Sequence, residues 1–593
     1  MAFDGLFLAA IREELLPLVG SRVDRIFQPE KETLILHLRQ GRETRKLLLC
    51  SLADQARVHL TTAAFTNPPA PPLFCMVLRK HLEGGLLAGV EQPDLERVLL
   101  LHFHTTDELG RPAARRLVTE IMGKHSNIIL LDAAGNIIDA VRRYTHAVSR
   151  HREVLPGRPY IPPPAQAKTD PRRLDDETLT PLLYSGRWDA PLERLLVEQL
   201  AGLGPETARE VTCRAGLPAG TTLENCGEYE LARLWRALQE VLAASRPDGW
   251  QPVVVRDREG QPLTFAAFAL AQYQGLPQEN LPTPAAACDA YYRARRERHL
   301  LAGARRSLEH ILERELKRCY KKEGLQAATV NEATGAERLR LAGELITANL
   351  YHLEKGQATL TTTNFYDPAG ATITIELDPA LAPAANARRY FSRYNRARNA
   401  ARLAAVQLEQ TRAEIAYLES IAQALSLAAD HDDLAEIRRE LRQAGYLPEE
   451  KEKPGKPGQK NNKKEAARPS QPLEFTSPDG FIILVGKNNR QNDWLTLKQA
   501  APGDIWLHTK DSPGSHVIIR TEGREVPDST LAMAARLAAR YSRAGQSSRV
   551  PVDWTLVKHV RKPPGARPGM VTYDHQRTVY VAPAEERDTP PRP

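Results

Sequence analysis

The sequence predicts a multidomain α+β protein, and three observations lead to this fold class. Short alternating apolar segments, typical of strands, fill the amino-terminal part. Two long charged segments with apolar residues at helical spacing occupy the middle of the chain. A second alternating region follows a stretch rich in Lys, Pro, Gly and Asn. A chain of 593 residues suggests about four domains.

The amino-terminal segment, residues 1–175, is predicted to be an α/β domain. It opens with an amphipathic helix in which Phe7, Ala10, Ile11 and Leu15 recur at helical spacing. Strand-like segments follow: "ETLILHLRQ", "RVLLLHFHT", "RRLVTEIM" and "NIILLDAAGNIIDAV". The domain is predicted to end near the proline-rich "PGRPYIPPPAQAK".

Residues 176–285 are predicted to form a helix-hairpin-helix-like domain. The stretch "LAGLGPETAREV" joins two helical patterns through a Gly-Leu-Gly turn, with Pro205 at the first helical position. If the backbone N–H groups of Gly204, Glu206 and Thr207 face outward, they can donate to a phosphate oxygen. A tight connection that binds nothing is an equally weighted alternative.

Residues 286–448 are predicted to form a long antiparallel two-helix coiled coil with a small β-insert. Apolar residues recur at helical spacing in both segments: Leu301, Leu308, Ile311, Leu312, Leu316, and Leu408, Ile415, Leu418, Ala422, Leu425. The insert "QATLTTTNFYDPAGATITIELDP" alternates like a hairpin. Residues 449–471 are predicted to be a flexible basic linker and residues 472–593 a small α/β RNA-binding domain.

The stretch "DIWLHTKDSPGSHVIIR" predicts a β-hairpin with two different faces. One face carries the apolar residues Ile505, Leu507, Val517 and Ile519. The other face is predicted to contact RNA. If the loop between the two strands has five residues, Trp506 lies opposite Arg520. The polar members of this face are Trp506, His508, Lys510, His516 and Arg520. The alternative is that the helix after Ser529 covers this face and buries Trp506.

A stretch whose charged residues are all positive, "RRYFSRYNRAR", lies at the start of the second long helix. No acid interrupts its arginines, and the aromatic residues Tyr390, Phe391 and Tyr394 lie between them. A solvated helix face mixes charge signs, so a polyanion with stackable bases suits this pattern better. The predicted RNA contacts here are Arg388, Arg389, Arg393, Arg396 and Arg398.

The remaining features restrict the function classes. The net charge of +8 leaves nucleic-acid partners open, and six scattered cysteines indicate neither disulfides nor a zinc site. "GFIILVGKNN" has its glycines at the wrong spacing for a nucleotide-binding loop, and Asn488 stands where Ser or Thr is required. We find no catalytic constellation, no cofactor or metal motif and no membrane-spanning run, and expect a cytoplasmic protein that is not an enzyme.

Three segments carry a resemblance to a known family. "LVTEIMGKHSNIILLD", "LDPALAPAANARRYFSRYNRAR" and "DIWLHTKDSPGSHVIIR" occur in the order found in bacterial members of the NEMF/FbpA/Caliban/Tae (NFACT) family of ribosome-associated quality-control factors. The resemblance extends over essentially the whole chain. It implies a glycosylase-like amino-terminal fold, although the Pro-Glu start and the four-cysteine zinc finger of such glycosylases are missing here.

The resemblance also implies partners and a role. Family members bind a large ribosomal subunit obstructed by peptidyl-tRNA and recruit alanine tRNA for template-free alanine tailing, which marks the stalled chain for degradation. The ribosomal subunit makes the peptide bonds, so the factor positions its partners. An additional small RNA-binding protein is a further candidate partner.

Two short motifs of the family handle tRNA, and they fall on the amino-terminal domain. The first falls on Glu96 and Arg97, where Glu96 replaces the aspartate of the family. The second falls on Glu120, Ile121 and Met122, before a turn with Lys124 and His125. Core packing is the alternative interpretation of Ile121 and Met122.

Two other functions stay as alternatives. One is a fibronectin-binding surface adhesin, because relatives carry that label. The other is a nucleic-acid-processing enzyme of glycosylase-like fold.

Overall fold

The computed structural model of the protein describes residues 2–107, 109–147, 149, 151–448 and 471–585, with side chains at all of these except 333 and 334. The chain forms two compact units, divided between His299 and Leu300. The predicted linker lies outside the described residues apart from Gln471. The predicted domain boundaries at residues 175 and 285 stay predictions.

A nine-stranded antiparallel sheet dominates the first unit, in the order β4-β3-β2-β1-β5-β6-β7-β8-β9. Its two halves meet between β1 and β5 at the pair Arg22 and Leu86. The strands are β1 (Arg22–Glu30), β2 (Thr33–Gln40), β3 (Glu43–Cys50), β4 (Arg57–Leu60), β5 (Leu86–Glu91), β6 (Val98–Thr106), β7 (Pro112–Glu120), β8 (Asn127–Leu131) and β9 (Ile137–Ala140). The alternating segments therefore form strands, as predicted.

Two helices complete the core of this sheet. They are α1 (Gly5–Leu15) and α2 (Leu73–Leu82). The predicted apolar face of α1 is buried, and Phe7 and Ile11 belong to one cluster with Leu36, Leu99 and Phe103. Burial of side chains of this kind contributes about 1.5–3 kcal/mol each, which fixes the helix on the sheet.

A helical region with a small sheet completes the first unit. Its elements are α3 (Asp176–Tyr184), α4 (Leu192–Gln199), α5 (Pro205–Arg214), α6 (Glu228–Ala244), β10 (Val253–Arg256), β11 (Pro262–Ala266) and β12 (Gln278–Asn280). The three strands lie in the order β11-β10-β12. Pro205 is the first residue of α5, as predicted, because a proline there removes no helical hydrogen bond.

Two long helices form the body of the second unit, and the first of them begins before the unit boundary, at Pro284. The elements are α7 (Pro284–Glu332), α8 (Glu337–Ala348), β13 (Thr359–Thr363), β14 (Thr372–Glu376), α9 (Pro383–Leu427) and α10 (His431–Gln443). Leu308 and Leu312 of α7 pack against Ile415 and Leu418 of α9. Arg318 pairs with Glu414 at 3.7 Å and Glu323 with Arg412 at 2.9 Å, so the helices run antiparallel. The antiparallel helix pair with a β-insert is therefore confirmed, whereas coiled-coil packing of the pair stays a prediction.

The carboxy-terminal domain contains a six-stranded sheet in the order β15-β16-β18-β17-β19-β22. The elements of the domain are β15 (Leu473–Thr476), β16 (Ile482–Val485), α11 (Asn489–Trp494), β17 (Ile505–Thr509), β18 (Val517–Ile519), α12 (Asp528–Arg540), β19 (Val550–Leu556), β20 (Val560–Arg561), β21 (Thr572–Tyr573) and β22 (Arg577–Val581). Strands β20 and β21 form a separate two-stranded ribbon. Helix α12 covers one face of the sheet. The turn after α11 and the segment around Val557 and Val560 cover the other.

Two further findings concern the whole described part of the chain. None of its helices is both long and apolar enough to cross a membrane. Nor does the described part bring together three or more His, Cys, Asp or Glu side chains that could hold a metal ion.

Candidate RNA-binding surfaces

A strained turn places Glu96 and Arg97 at the start of β6. Asp94 and Leu95 have φ angles of 39° and 58°, a left-handed conformation that costs free energy at a non-glycine residue. The turn packs closely against Gly5 and Gly202. A Cβ atom at Gly5 would overlap the Leu95 carbonyl oxygen, and a Cβ atom at Gly202 would lie 3.0 Å from the Leu95 side chain. Surrounding packing therefore fixes the backbone that presents this motif.

Asp4 connects this turn to the helix-hairpin-helix-like segment. Its carboxylate accepts hydrogen bonds from the N–H of Phe7 at 2.9 Å, the N–H of Gly204 at 2.9 Å and the hydroxyl of Thr207 at 2.5 Å. Burial raises the pKa of Asp4, and the nearby Arg97 opposes that shift. The prediction that the Gly204 N–H faces outward for a phosphate is therefore wrong, because an internal carboxylate occupies its hydrogen-bonding position.

A small cavity of about 130 Å³ opens beside this turn. It is lined by Asp4, Glu96, Arg97, Lys168 and Gly204, among others. Burial lowers the pKa of Lys168, with Glu96 opposing and Arg97 reinforcing the shift. Lysine and arginine side chains that line a cavity provide cationic donors for phosphate or base edges.

The two predicted tRNA motifs lie side by side. The backbone N–H of Ile121 donates to the carbonyl oxygen of Arg97 at 2.8 Å, and Val98 pairs with Glu120 across β6 and β7. Residues separated by more than twenty positions in sequence are thereby adjacent at one end of the sheet.

Glu120 and Ile121 are fully buried, which changes the interpretation of the second motif. Both oxygens of Glu120 accept from Arg152, at 2.6 and 2.5 Å, and Tyr160 donates to it at 2.8 Å. Burial and the Glu120 carboxylate raise the pKa of Tyr160. Ile121 packs in the main core, the alternative that the sequence left open. The tRNA role of Glu120 and Ile121 stays a prediction. Because both side chains are buried, such a role would act through neighbouring residues and not through contact with the tRNA.

A larger cavity of about 710 Å³ lies next to Met122, Lys124 and His125. Its charged lining comprises five cations and one acid, namely Lys31, Lys124, Arg142, Arg143, Arg152 and Glu32. Arg142 pairs with Glu32 at 2.8 Å and donates to the Lys124 carbonyl oxygen at 2.8 Å, which fixes the turn. Lys124 and His125 are exposed, so this cavity brings together cations and the apolar side chain of Met122.

The five predicted arginines of α9, which we call the arginine stripe (Arg388, Arg389, Arg393, Arg396 and Arg398), are all exposed. Arg389 pairs with Asp378 at 2.6 Å. An exposed ion pair of this kind contributes at most about 1 kcal/mol, so it can exchange for a phosphate at small cost. The stripe is therefore available to a polyanion.

The aromatic residues between these arginines have structural contacts. Phe391 packs against Gly343, where a Cβ atom would lie 3.0 Å from its ring. Tyr390 donates to the Glu376 carbonyl oxygen at 2.7 Å, and Tyr394 donates to Glu337 at 3.1 Å. These rings attach α9 to α8 and the β-insert, so the stacking role suggested by the sequence does not suit them.

The hairpin of β17 and β18 is buried on both faces. Trp506 and His516 are 0% and 1% exposed, and Trp506 packs with Leu484, Leu495 and Ile518. The prediction that these two residues face RNA is therefore wrong, and so is the alternative that α12 covers them, because α12 packs on the opposite face. The register also differs by two residues, since Trp506 lies opposite Ile518 and not Arg520.

The other members of the predicted polar face have separate environments. His508 is half-buried and lies 5.5 Å from His516 between ring centres. Arg520 contacts the buried Asp504 at 3.3 Å, so reversing the charge of Arg520 would disturb folding. Lys510 is exposed and stays available to RNA.

The comparisons with known proteins identify the family. Residues 4–460 match the NFACT N-terminal and middle domains, and residues 471–574 match the NFACT protein RNA binding domain. The Rqc2 homolog RqcH of Bacillus subtilis is 38% identical over 589 residues, covering 98% of each chain. The ribosome quality control complex subunit NEMF homolog of Drosophila melanogaster is 20% identical and covers 90% of this chain and 59% of its own.

Among solved structures, the fibrinogen binding protein from Staphylococcus aureus aligns with a TM-score of 0.42 and 29% identity, covering 49% of this chain and 99% of that chain. The domain matches together span nearly all of this sequence, and the Bacillus relative is similar over its full length. The chain therefore belongs to the NFACT family of ribosome quality-control proteins, and RqcH proteins are its full-length relatives.

Proposed function

We propose that this protein binds large ribosomal subunits obstructed by peptidyl-tRNA and recruits alanine tRNA for template-free alanine tailing. The observation that carries the tRNA part is the backbone hydrogen bond between Ile121 and Arg97, which joins the two family motifs. A cavity opens at each motif: two cations and two acids line the first, and five cations and one acid line the second. Cationic side chains at two neighbouring motifs suit a folded RNA, whose phosphates are closely spaced.

In this proposal Arg97, Lys124 and His125 contact the tRNA. Glu120 acts through Arg152 and Tyr160, whose hydrogen bonds shape the wall of the larger cavity. Ile121 supports the junction from the core. Glu96, with one methylene more than the aspartate of the family, adjusts the charge around Lys168.

The arginine stripe and the carboxy-terminal domain are proposed to bind the large subunit. The five stripe arginines are exposed on one helix, and Lys510 is exposed at the end of β17. Each phosphate that they neutralise releases counterions, so binding should weaken steeply as salt rises. A cytoplasmic location follows from this partner.

In this proposal the ribosomal subunit catalyses peptide-bond formation, and the protein acts by positioning the tRNA. Holding a charged tRNA beside the trapped chain removes much of the entropic cost of the encounter, and that is sufficient chemistry for a positioning factor. No observation in the described residues favours the adhesin or the glycosylase-like enzyme.

Sequencing the RNA that co-purifies with the protein tests the proposal. The wild-type chain should carry large-subunit ribosomal RNA and a tRNA fraction enriched in alanine tRNA. Arg97→Ala should lose the tRNA fraction and keep the ribosomal RNA, because one cationic contact contributes about 1–3 kcal/mol. Arg187→Ala, at an exposed arginine paired with Asp189, is the matched control and should retain both.

A tRNA pool without alanine enrichment would refute the tRNA assignment. Equal tRNA recovery by Arg97→Ala and the control would remove Arg97 from the site.

A further inference from the structure

Three acids of α10 form a buried stripe. Asp433, Glu436 and Glu440 are spaced three and four residues apart, which places them on one helix face. Their exposed fractions are 1%, 7% and 3%. Burying carboxylates is costly unless each one is paired and hydrogen-bonded, so this face must have dedicated partners.

The partners are three consecutive residues of the carboxy-terminal domain. The Lys487 ammonium lies 2.9 Å from an Asp433 oxygen, the Asn488 amide donates to Glu436 at 2.7 Å, and the Asn489 amide donates to Glu440 at 3.0 Å. We call these six residues the polar seam. The "GKNN" segment, which is unsuited to nucleotide binding, thus has a role as the donor side of this seam.

Contacts around the seam reinforce the attachment. The Asn489 amide also donates to the Ser420 hydroxyl of α9 at 2.8 Å. Arg567 lies 4.5 Å over the Tyr417 ring and donates to the Tyr446 hydroxyl at 3.1 Å. Met570 packs against the core of the helix pair. The carboxy-terminal domain is therefore attached to α10 and to the carboxy-terminal part of α9 through contacts that do not involve the linker.

The chemistry of the seam specifies one arrangement. Each donor faces a different carboxylate, so sliding the domain along α10 would leave charged groups buried without partners, at several kcal/mol each. An apolar interface of the same size would tolerate such sliding better, because apolar contacts have no direction.

The seam lies far from the arginine stripe, because its Asn489 contacts α9 near the opposite end of that helix, at Ser420. From Arg393 to Ser420, α9 rises about 40 Å, at 1.5 Å per residue over the intervening positions. Two RNA-binding surfaces at fixed separation bind one target far more tightly than either alone, provided that both engage together. A domain held only by the linker would have a lower effective concentration at its site on the target and would keep less of this advantage.

We propose that the polar seam is a positioning element, which holds the carboxy-terminal domain at a fixed distance and orientation from the arginine stripe so that both engage one large subunit. This inference rests on the proposed function. Lys487, Asp433 and their neighbours contact no RNA in this scheme. They act by fixing the relative position of the two surfaces that do.

Charge exchange across the seam tests the inference. Lys487→Glu places an acid against the acidic stripe and should open the seam, measured on the full chain as faster amide hydrogen exchange in α10 and α11. It should weaken binding to purified large subunits at least about tenfold, measured by co-sedimentation. Adding Asp433→Lys restores the opposite charges and should recover most of both properties.

Two further variants separate positioning from other effects. Lys498→Glu changes the net charge equally at an exposed position outside the seam, and should alter neither exchange nor affinity beyond a small salt-dependent loss. Lys487→Met keeps the apolar stem and removes only the charge, so it should show the same direction of change if the glutamate variant does not fold.

Several outcomes would overturn the inference. If Lys487→Glu opens the seam yet binds the subunit as tightly as wild type, the seam does not position the domain for binding. If exchange is unchanged, these residues do not hold the domain. If the double variant binds as weakly as Lys487→Glu, Lys487 itself contacts RNA. Failure of the wild-type chain to bind large subunits would instead refute the proposed function.

Discussion

At the scale of single residues, Asp4 shows how one side chain joins distant parts of the first unit. It caps α1 through Phe7 and accepts from Gly204 and Thr207 at the start of α5, some 200 positions later in the chain. An acid directly before a helical pattern is an N-cap signal, so the first of these two roles of Asp4 was predictable from sequence. Its second role was not, because nothing local in a sequence indicates which distant N–H group a carboxylate will meet.

Replacing Asp4 tests this double role. Asp4→Ala leaves three donors without their acceptor, so the free energy of local opening of α1 and α5 should fall by about 1–3 kcal/mol. Amide hydrogen exchange of the two helices measures it. Asp175→Ala, which removes an exposed cap of α3, is the control and should affect α3 alone. Equal exchange in α5 of wild type and Asp4→Ala would contradict the account.

We expect His516 to make the stability of the carboxy-terminal domain depend on pH. Burial holds the pKa of His516 well below its ordinary value, and the nearby His508 and Lys562 act in the same direction. The folded state therefore resists protonation, and stability that is present above about pH 6.5 is lost as the pH falls.

The expected result is a lower melting temperature of the full chain at pH 5.5 than at pH 7.5. His516→Asn keeps a polar partner for Thr496, which lies 2.8 Å from Nδ1, and removes the titration. That variant should lose less stability over the same pH interval. His310→Asn, at an exposed histidine of α7, should behave as wild type. Equal pH dependence in all three proteins would assign the effect to other groups.

At the scale of elements, the hairpin of β17 and β18 separates what periodicity can predict from what it cannot. Alternation correctly assigned residues to two faces, and the two-residue register error preserved those faces. The environment of each face was not predictable, because segments outside the hairpin cover both faces. Helix α12 covers one face, and segments before and after the hairpin cover the other. A tryptophan among histidines resembles an RNA-binding face in sequence, although packing makes it a core.

The arginine stripe yields the prediction that belongs to α9. Reversing Arg389, Arg393 and Arg396 to glutamate should weaken large-subunit binding, because three exposed cations become anions facing phosphates. The loss should be greatest at low salt and should diminish as salt rises. Co-sedimentation with purified subunits across a salt series measures it.

The control carries the same charge change on the other long helix. Arg306, Lys321 and Lys322 are exposed on α7, and their reversal to glutamate should cost less affinity than reversal of the stripe. Equal losses in the two triple variants would mean that only net charge matters. No loss in the stripe variant would make these arginines a solvated face.

At the scale of the whole molecule, the central feature is the meeting of two short motifs from different strands. The sequence predicted the strands and, through the resemblance, the motif residues. It did not predict that Glu120 is enclosed by Arg152 and Tyr160, because these partners lie 32 and 40 residues away. Position in a sheet is read from periodicity, whereas burial of an acid depends on side chains that only the fold brings together.

Alanine tailing of a stalled chain tests the central claim most directly. In cells that lack the endogenous factor, the wild-type protein should restore carboxy-terminal alanine tails on a stalled reporter, measured by mass spectrometry. Arg97→Ala should abolish or strongly reduce the tails while its co-sedimentation with large subunits stays at the wild-type level. Tails of normal length and abundance with Arg97→Ala, or none with wild-type protein that binds the subunit, would contradict the account.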